Sequence, residues 1–141
     1  MRIASFDHAV LTVRDLQRTS DFYCKVLGMR HEVFEGHYHA LHFGSQKINL
    51  HPYRNEYLPH ADITVPGSAD LCFVCEEPID EVAAELRSLG QAIELGPVPQ
   101  TGARGAMRSI YLRDPDGNLL ELASYATSSA PAHPASPAPP P

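Results

Sequence analysis

Two imidazoles and a carboxylate on facing strands could hold one divalent cation and leave positions open for a substrate. That arrangement suits Fe(II), Mn(II), Ni(II) or Zn(II). The sequence offers such a set in His8, His51 and Glu121, with Asp70 as a fourth ionisable side chain. Glu121 stands between Leu120 and Leu122, on a stretch that also holds Leu119 and Ala123. A carboxylate buried there without a partner would be costly. The plainer alternative carries weight too: a lone strand histidine is more often a hydrogen-bonded core residue, and a lone strand glutamate more often sits on a solvated edge. What favours the metal is that all four side chains occupy matching places in a repeat and share a facing.

The repeat is visible in spacing. His8-Ala9-Val10-Leu11-Thr12-Val13 is followed by a helical pattern ending at Leu27-Gly28, and Asp70-Leu71-Cys72-Phe73-Val74-Cys75 by one ending at Leu89-Gly90. His8 to Gly28 is twenty residues, as is Asp70 to Gly90. Asp15 can cap the first helix, whose apolar stripe is Leu16, Thr19, Phe22, Tyr23, Val26 and Leu27. Pro78 opens the second, with Ile79, Val82, Ala83, Leu86 and Leu89 as its stripe. The two glycines supply left-handed stops.

Three strand candidates follow each helix: 29–34, 37–43 and 47–52, then 92–95, 106–112 and 119–124. A Gly/Pro-rich loop is expected over 96–105, and Asp114-Pro115-Asp116-Gly117-Asn118 is a strong turn signal. The pattern predicts an α+β fold of two βαβββ modules, a curled mixed β-sheet forming a cavity with helices outside. One domain is expected over 1–125, with modules at about 1–52 and 69–125 and a connector at 53–68. Residues 126–141 hold only Ala, Thr, Ser, Pro and His133, and are expected to be a disordered tail in which His133 is silent.

Alternation along each strand sorts its side chains. Ala9, Leu11 and Val13 fit a helix-covered face, leaving His8, Val10 and Thr12 opposite. Ile48 and Leu50 separate from Asn49 and His51, as Leu71, Phe73 and Cys75 separate from Asp70, Cys72 and Val74. Leu120 and Leu122 face away from Leu119, Glu121 and Ala123. His31, His37, His39, His42 and His60 are expected at the surface or a pocket rim, without a tight cluster. Cys72 and Cys75 form a C-x-x-C string, yet residues three apart on a strand point to opposite faces and cannot jointly grip a metal. They read as core thiols, and an odd count of three cysteines in a chain that needs no staples fits a reducing, cytoplasmic setting.

With 11 Lys+Arg against 17 Asp+Glu and no basic block, the chain offers nucleic acid no footprint. It has neither a long apolar run nor an N-terminal charged-then-apolar pattern, so membrane insertion and secretion are not expected.

Residues 6–125 resemble the vicinal oxygen chelate superfamily, which includes glyoxalase I, extradiol dioxygenases and fosfomycin- and bleomycin-resistance proteins. The likeness rests on Phe6-Asp7-His8-Ala9-Val10-Leu11-Thr12-Val13, on Asp21-Phe22-Tyr23-Cys24-Lys25-Val26-Leu27-Gly28-Met29, and on the run Tyr111-Leu112-Arg113-Asp114-Pro115-Asp116-Gly117-Asn118-Leu119-Leu120-Glu121-Leu122. The segment 96–106 is similar to that of the glyoxalase domain-containing protein 5 subgroup, whose bacterial members often carry the label virulence protein. The resemblance implies metal ligands at the first and last strands of both modules, which by position are His8, His51, Asp70 and Glu121. Glyoxalase I and the extradiol enzymes usually have histidine where this chain has Asp70. The expected site is therefore His8, His51 and Glu121, with Asp70 beside it or water-linked.

The resemblance further implies one divalent ion (Ni, Co, Mn, Zn or Fe) chelating adjacent oxygens of a small substrate, in a glyoxalase-like lyase or isomerase. Glu121 would be the base that moves a proton between neighbouring carbons. Arg104, Arg108 and Tyr111 could hold an anionic substrate group, or equally be surface arginines and a core-edge tyrosine. A homodimer is implied as well, with the ion bound within one chain or across two. The competing readings are an extradiol-type dioxygenase and a drug- or metabolite-binding resistance protein without turnover.

Overall fold

The structure, a computed structural model, describes residues 1–126. The tail expected from 126 onward lies, beyond its first residue, outside the described residues. Along the chain run β1 (His8–Val13), α1 (Leu16–Lys25), β2 (Arg30–Phe34), β3 (Tyr38–Phe43) and β4 (Gln46–Pro52). Then come β5 (Asp70–Val74), α2 (Ile79–Ser88), β6 (Leu95–Gly102), β7 (Gly105–Arg113) and β8 (Leu119–Tyr125). This is βαβββ twice, an α+β fold with two four-stranded sheets ordered β1-β4-β3-β2 and β5-β8-β7-β6. No described helix is long and apolar enough to cross a membrane.

The chain packs as two compact units. Residues 1–70 and 113–119 make the first; residues 71–112 and the segment from Leu120 make the second. In the first, β1 runs parallel to β4, while β3 is antiparallel to both β4 and β2. A parallel first and last strand is what a helix between them permits, since a crossover is needed to bring the chain back in the same direction. Val13, Leu11, Leu41, Ile48 and Leu50 form the buried layer of that sheet, joined by Tyr23 of α1. Asp15 caps α1 by accepting from the Arg18 N–H, and Gly28 turns the chain at φ +67°.

The 114–118 turn belongs to the first unit through a buried polar knot. The Asp114 carboxylate accepts the Tyr23 hydroxyl at 2.8 Å and the Asn118 amide Nδ2 at 2.7 Å. It also takes the backbone N–H groups of Asp116 and Asn118, both at 2.9 Å. Asn118 Oδ1 in turn accepts the Ala69 N–H at 2.9 Å, so one side chain ties the end of the connector to the residue before β8. A burial this deep is sustainable for a carboxylate only because every lone-pair direction is used.

In the second unit α2 buries Ile79, Val82, Ala83 and Leu86. The three larger side chains contribute about 2 kcal/mol each by removal from water. Leu89, expected in that stripe, lies past the last turn and is 52% exposed. A larger departure concerns residues 96–105. They do not form a loop: β6 extends through Pro97 and Pro99 and pairs with β7 antiparallel, Pro99 opposite Arg108, with a register shift between Leu95 and Val98. Residues 92–94, expected as the strand, precede it instead. Proline lacks a ladder N–H, but β6 is an edge strand, the one position where that loss goes unpunished.

Candidate functional site

The first unit supplies the two imidazoles. Face alternation on β1 and β4 is as the sequence pattern requires: Leu11, Val13, Ile48 and Leu50 are buried, whereas His8, Val10, Thr12, Asn49 and His51 lie on the other face at partial or full exposure. His51, at the end of β4, lines a cavity of about 450 Å³ together with Val10, Thr12, His60, Ile63 and Val65. Its ring meets Tyr57 edge-on, with centroids 5.1 Å apart. Burial, with His60 nearby, pulls its pKa below the ordinary histidine value against a smaller opposing effect of Glu56. His51 is therefore a neutral imidazole at pH 7, the form that ligates a metal. Among the described residues its buried Nδ1 has no hydrogen-bond partner.

His8 sits at the other end of the strand pair. Its Nδ1 bonds the Asp7 carboxylate at 2.7 Å, which holds that carboxyl below the usual range and leaves Nε2 as the nitrogen available to a ligand. The β1–β4 register aligns His8 with Lys47 and Thr12 with His51, so the two histidines share a face but stand four positions apart. At ~3.3 Å per residue this is about 13 Å along the strands. Among the described residues, no three His, Cys, Asp or Glu side chains group closely enough to hold an ion.

Glu121 lies on β8 of the second unit, half-buried between the buried Leu120 and Leu122. Its Oε1 is buried and, among the described residues, has no hydrogen-bond partner. A carboxylate oxygen in that state calls for a cation, a proton or a donor group from a ligand. Asp70, at the start of β5, is exposed. Taken singly, these side chains have the chemistry of divalent-ion donors: His51 an imidazole held below its ordinary pKa, His8 an imidazole oriented by a carboxylate, and Glu121 a carboxylate oxygen without a partner among the described residues.

The expected anion-binding residues are placed differently. The Arg108 guanidinium pairs with Asp80 of α2, and that of Arg104 stacks over the Tyr125 ring at 4.3 Å. The Arg104 backbone N–H also donates to the Tyr125 hydroxyl at 3.2 Å. Tyr111 is half-buried on β7, and its carbonyl accepts the Glu94 N–H at 2.7 Å. Both arginines are thus engaged with neighbours in their own unit. The C-x-x-C pair divides as strand geometry demands, but Cys72 is exposed rather than in the core. Burial, with Glu77 and Glu85 nearby, pushes the half-buried Cys75 thiol up to about 11.

Two features escaped the sequence pattern. Asn49, two residues before His51 on the same face, has a buried Oδ1 without a partner among the described residues. His31 and His39, expected apart, bond to each other at 2.8 Å. Alternation alone could have paired them, had the β2–β3 register been known.

Against known proteins, residues 5–122 match the family model of the glyoxalase/bleomycin resistance protein/dioxygenase superfamily. The chain is 50% identical over 125 residues to the virulence protein STM3117 of Salmonella typhimurium, covering 89% of this chain and 87% of that one. The crystal structure of that protein superposes with a TM-score of 0.88, at 49% identity, over 89% of this chain and all of the other (100%). The glyoxalase domain-containing protein RDO1 of Mycosarcoma maydis is 47% identical over 125 residues, 89% of this chain and 70% of its own. A lactoylglutathione lyase from Agrobacterium tumefaciens, at 21% identity and a TM-score of 0.68 over 88% of this chain and 96% of its own, shares the fold. Together with the βαβββ repeat, these matches establish that the chain belongs to the glyoxalase/bleomycin resistance protein/dioxygenase superfamily.

Proposed function

We propose that the chain is a divalent-metal-dependent enzyme of the vicinal oxygen chelate type, a glyoxalase-like lyase or isomerase acting on a small substrate with adjacent oxygens. His51 and Glu121 are the inner donors, His8 adds its Nε2, and Asp70 stands by as an outer carboxylate. The observation that carries this reading is the Glu121 carboxylate oxygen, buried with no partner among the described residues. The neutral state of His51 supports it from the first unit.

A divalent ion, when bound, supplies Lewis-acid stabilisation of negative charge developing on a substrate oxygen, worth several kcal/mol. The protein's own residues do the rest. Glu121 accepts a proton from one substrate carbon and returns it to the neighbour, which a carboxylate oxygen free of hydrogen bonds is suited to do. The cavity beside His51 seats the substrate's body: Val10, Ile63 and Val65 give it apolar walls, while Thr12 and His60 offer polar contacts. The enzyme works as a homodimer, with its donors drawn from one chain or from two.

The test is restoration of activity. Protein stripped with a chelator and resupplied with Ni(II), Co(II), Mn(II) or Zn(II) is assayed for isomerisation of α-oxo compounds and their thiol adducts. Metal-restored turnover that Glu121→Gln abolishes is the expected result. Oxygen consumption with catechols would replace this reading with an extradiol dioxygenase. Protein that takes up no divalent ion at micromolar concentrations would point to a binding protein without turnover.

A further inference from the structure

His31 of β2 and His39 of β3 lie on the edge hairpin of the first sheet, on the face opposite His51. The β2–β3 register sets His31 across from Leu41 and His39 across from Val33, so the two rings meet diagonally. His31 Nε2 and His39 Nδ1 are 2.8 Å apart, and the rings lie edge to edge with centroids 5.1 Å apart and planes 16° from parallel. Both side chains are half-buried. At that separation one nitrogen carries a hydrogen and the other offers its lone pair, so a single proton lies between the two rings.

We propose that His31 and His39 form a second metal site, a bidentate imidazole clip for a late first-row divalent ion of the copper, nickel or zinc class. Two imidazole nitrogens on one tetrahedral ion with bonds of 2.0–2.1 Å stand about 3.3 Å apart. The clip therefore needs to open by only about half an ångström, with a small ring rotation, for the ion to replace the shared proton. Both rings are held by adjacent strands of one ladder, so most of the ordering that a chelate requires is already in place. Imidazole pairs of this kind select by ligand softness, and Cu(II) stands highest in the affinity order, so it is the sensitive probe. The remaining positions are left to water.

The experiment titrates Cu(II) into the full-length protein and its His39→Gln, His31→Gln and His51→Ala variants. Calorimetry gives the affinity, and paramagnetic broadening of the imidazole proton signals locates the ion. The expected result is that His31 and His39 broaden together at substoichiometric copper, in the unmodified chain and in His51→Ala alike. Either glutamine variant should weaken that step roughly tenfold or more. The proposal is overturned if His31 and His39 broaden no earlier than the exposed His37 and His60, or if both glutamine variants bind as the unmodified chain does. The broadening in unmodified protein decides the matter even where a variant folds poorly.

Discussion

Removing one hydroxyl should test whether the buried knot at Asp114 holds the approach to β8 and Glu121. In Tyr23→Phe the phenol O–H that donates to Asp114 at 2.8 Å disappears, while the ring keeps its place against the first sheet. The carboxylate retains Asn118 Nδ2 and two backbone N–H groups, so it is weakened rather than orphaned. A hydrogen bond to a charged group contributes about 1.5–3 kcal/mol net. We expect a loss of about 2 kcal/mol in denaturant unfolding, or a melting temperature lower by roughly 6–10 °C for a domain of this size.

The pH dependence gives a second handle on the same bond. Burial, together with Asp114, raises the Tyr23 pKa far above its ordinary value near 10. Its stabilising contribution is thus complete below pH 10. Above it the unfolded phenol ionises first, and stability falls by up to about 1.4 kcal/mol per pH unit. Tyr23→Phe should remove that alkaline limb. A variant within about 0.5 kcal/mol of the parent, with the limb unchanged, would refute the reasoning.

Other contacts of the fold give further expected outcomes. Gly67→Ala places a methyl 2.5 Å from the Asp116 carbonyl oxygen at φ +81°, so thermal unfolding should show a loss of at least about 2 kcal/mol; a neutral variant would mean the connector's end gives way freely. Arg108→Ala breaks an exposed ion pair with Asp80 and should cost less than about 1 kcal/mol with KM unchanged; a raised KM would return Arg108 to the substrate. At pH 8 a thiol pushed up to about 11 is thiolate in about one molecule per thousand. Iodoacetamide should therefore label the exposed Cys72 well before Cys75, and equal rates would contradict the burial of Cys75.

Helix stops at Gly28 and Gly90 and the twenty-residue echo made both βαβββ modules legible, because those signals are local. β6 was not, because Gly96, Pro97 and Pro99 read as loop formers until the edge position excuses their missing donors. For the candidate site, alternation separated His8, His51 and Glu121 from the more deeply buried residues beside them on their strands. It could not give the offset between neighbouring strands, and only that register shows His8 and His51 four positions apart. Arg108 and Arg104 misled for a related reason: composition cannot tell a waiting guanidinium from one already paired with Asp80 or stacked on Tyr125. Likewise His31 and His39 meet across strands whose pairing no local pattern reports.

The metal content of the purified chain bears most directly on the proposed enzyme. It is best measured in the His39→Gln background, so that the clip on the hairpin adds nothing. Elemental analysis should find about one divalent ion per chain, lost in His51→Ala and in Glu121→Ala and reduced in His8→Ala. An ion retained at full occupancy when His51 and Glu121 are both replaced would contradict the account, as would a chain that binds none at micromolar metal.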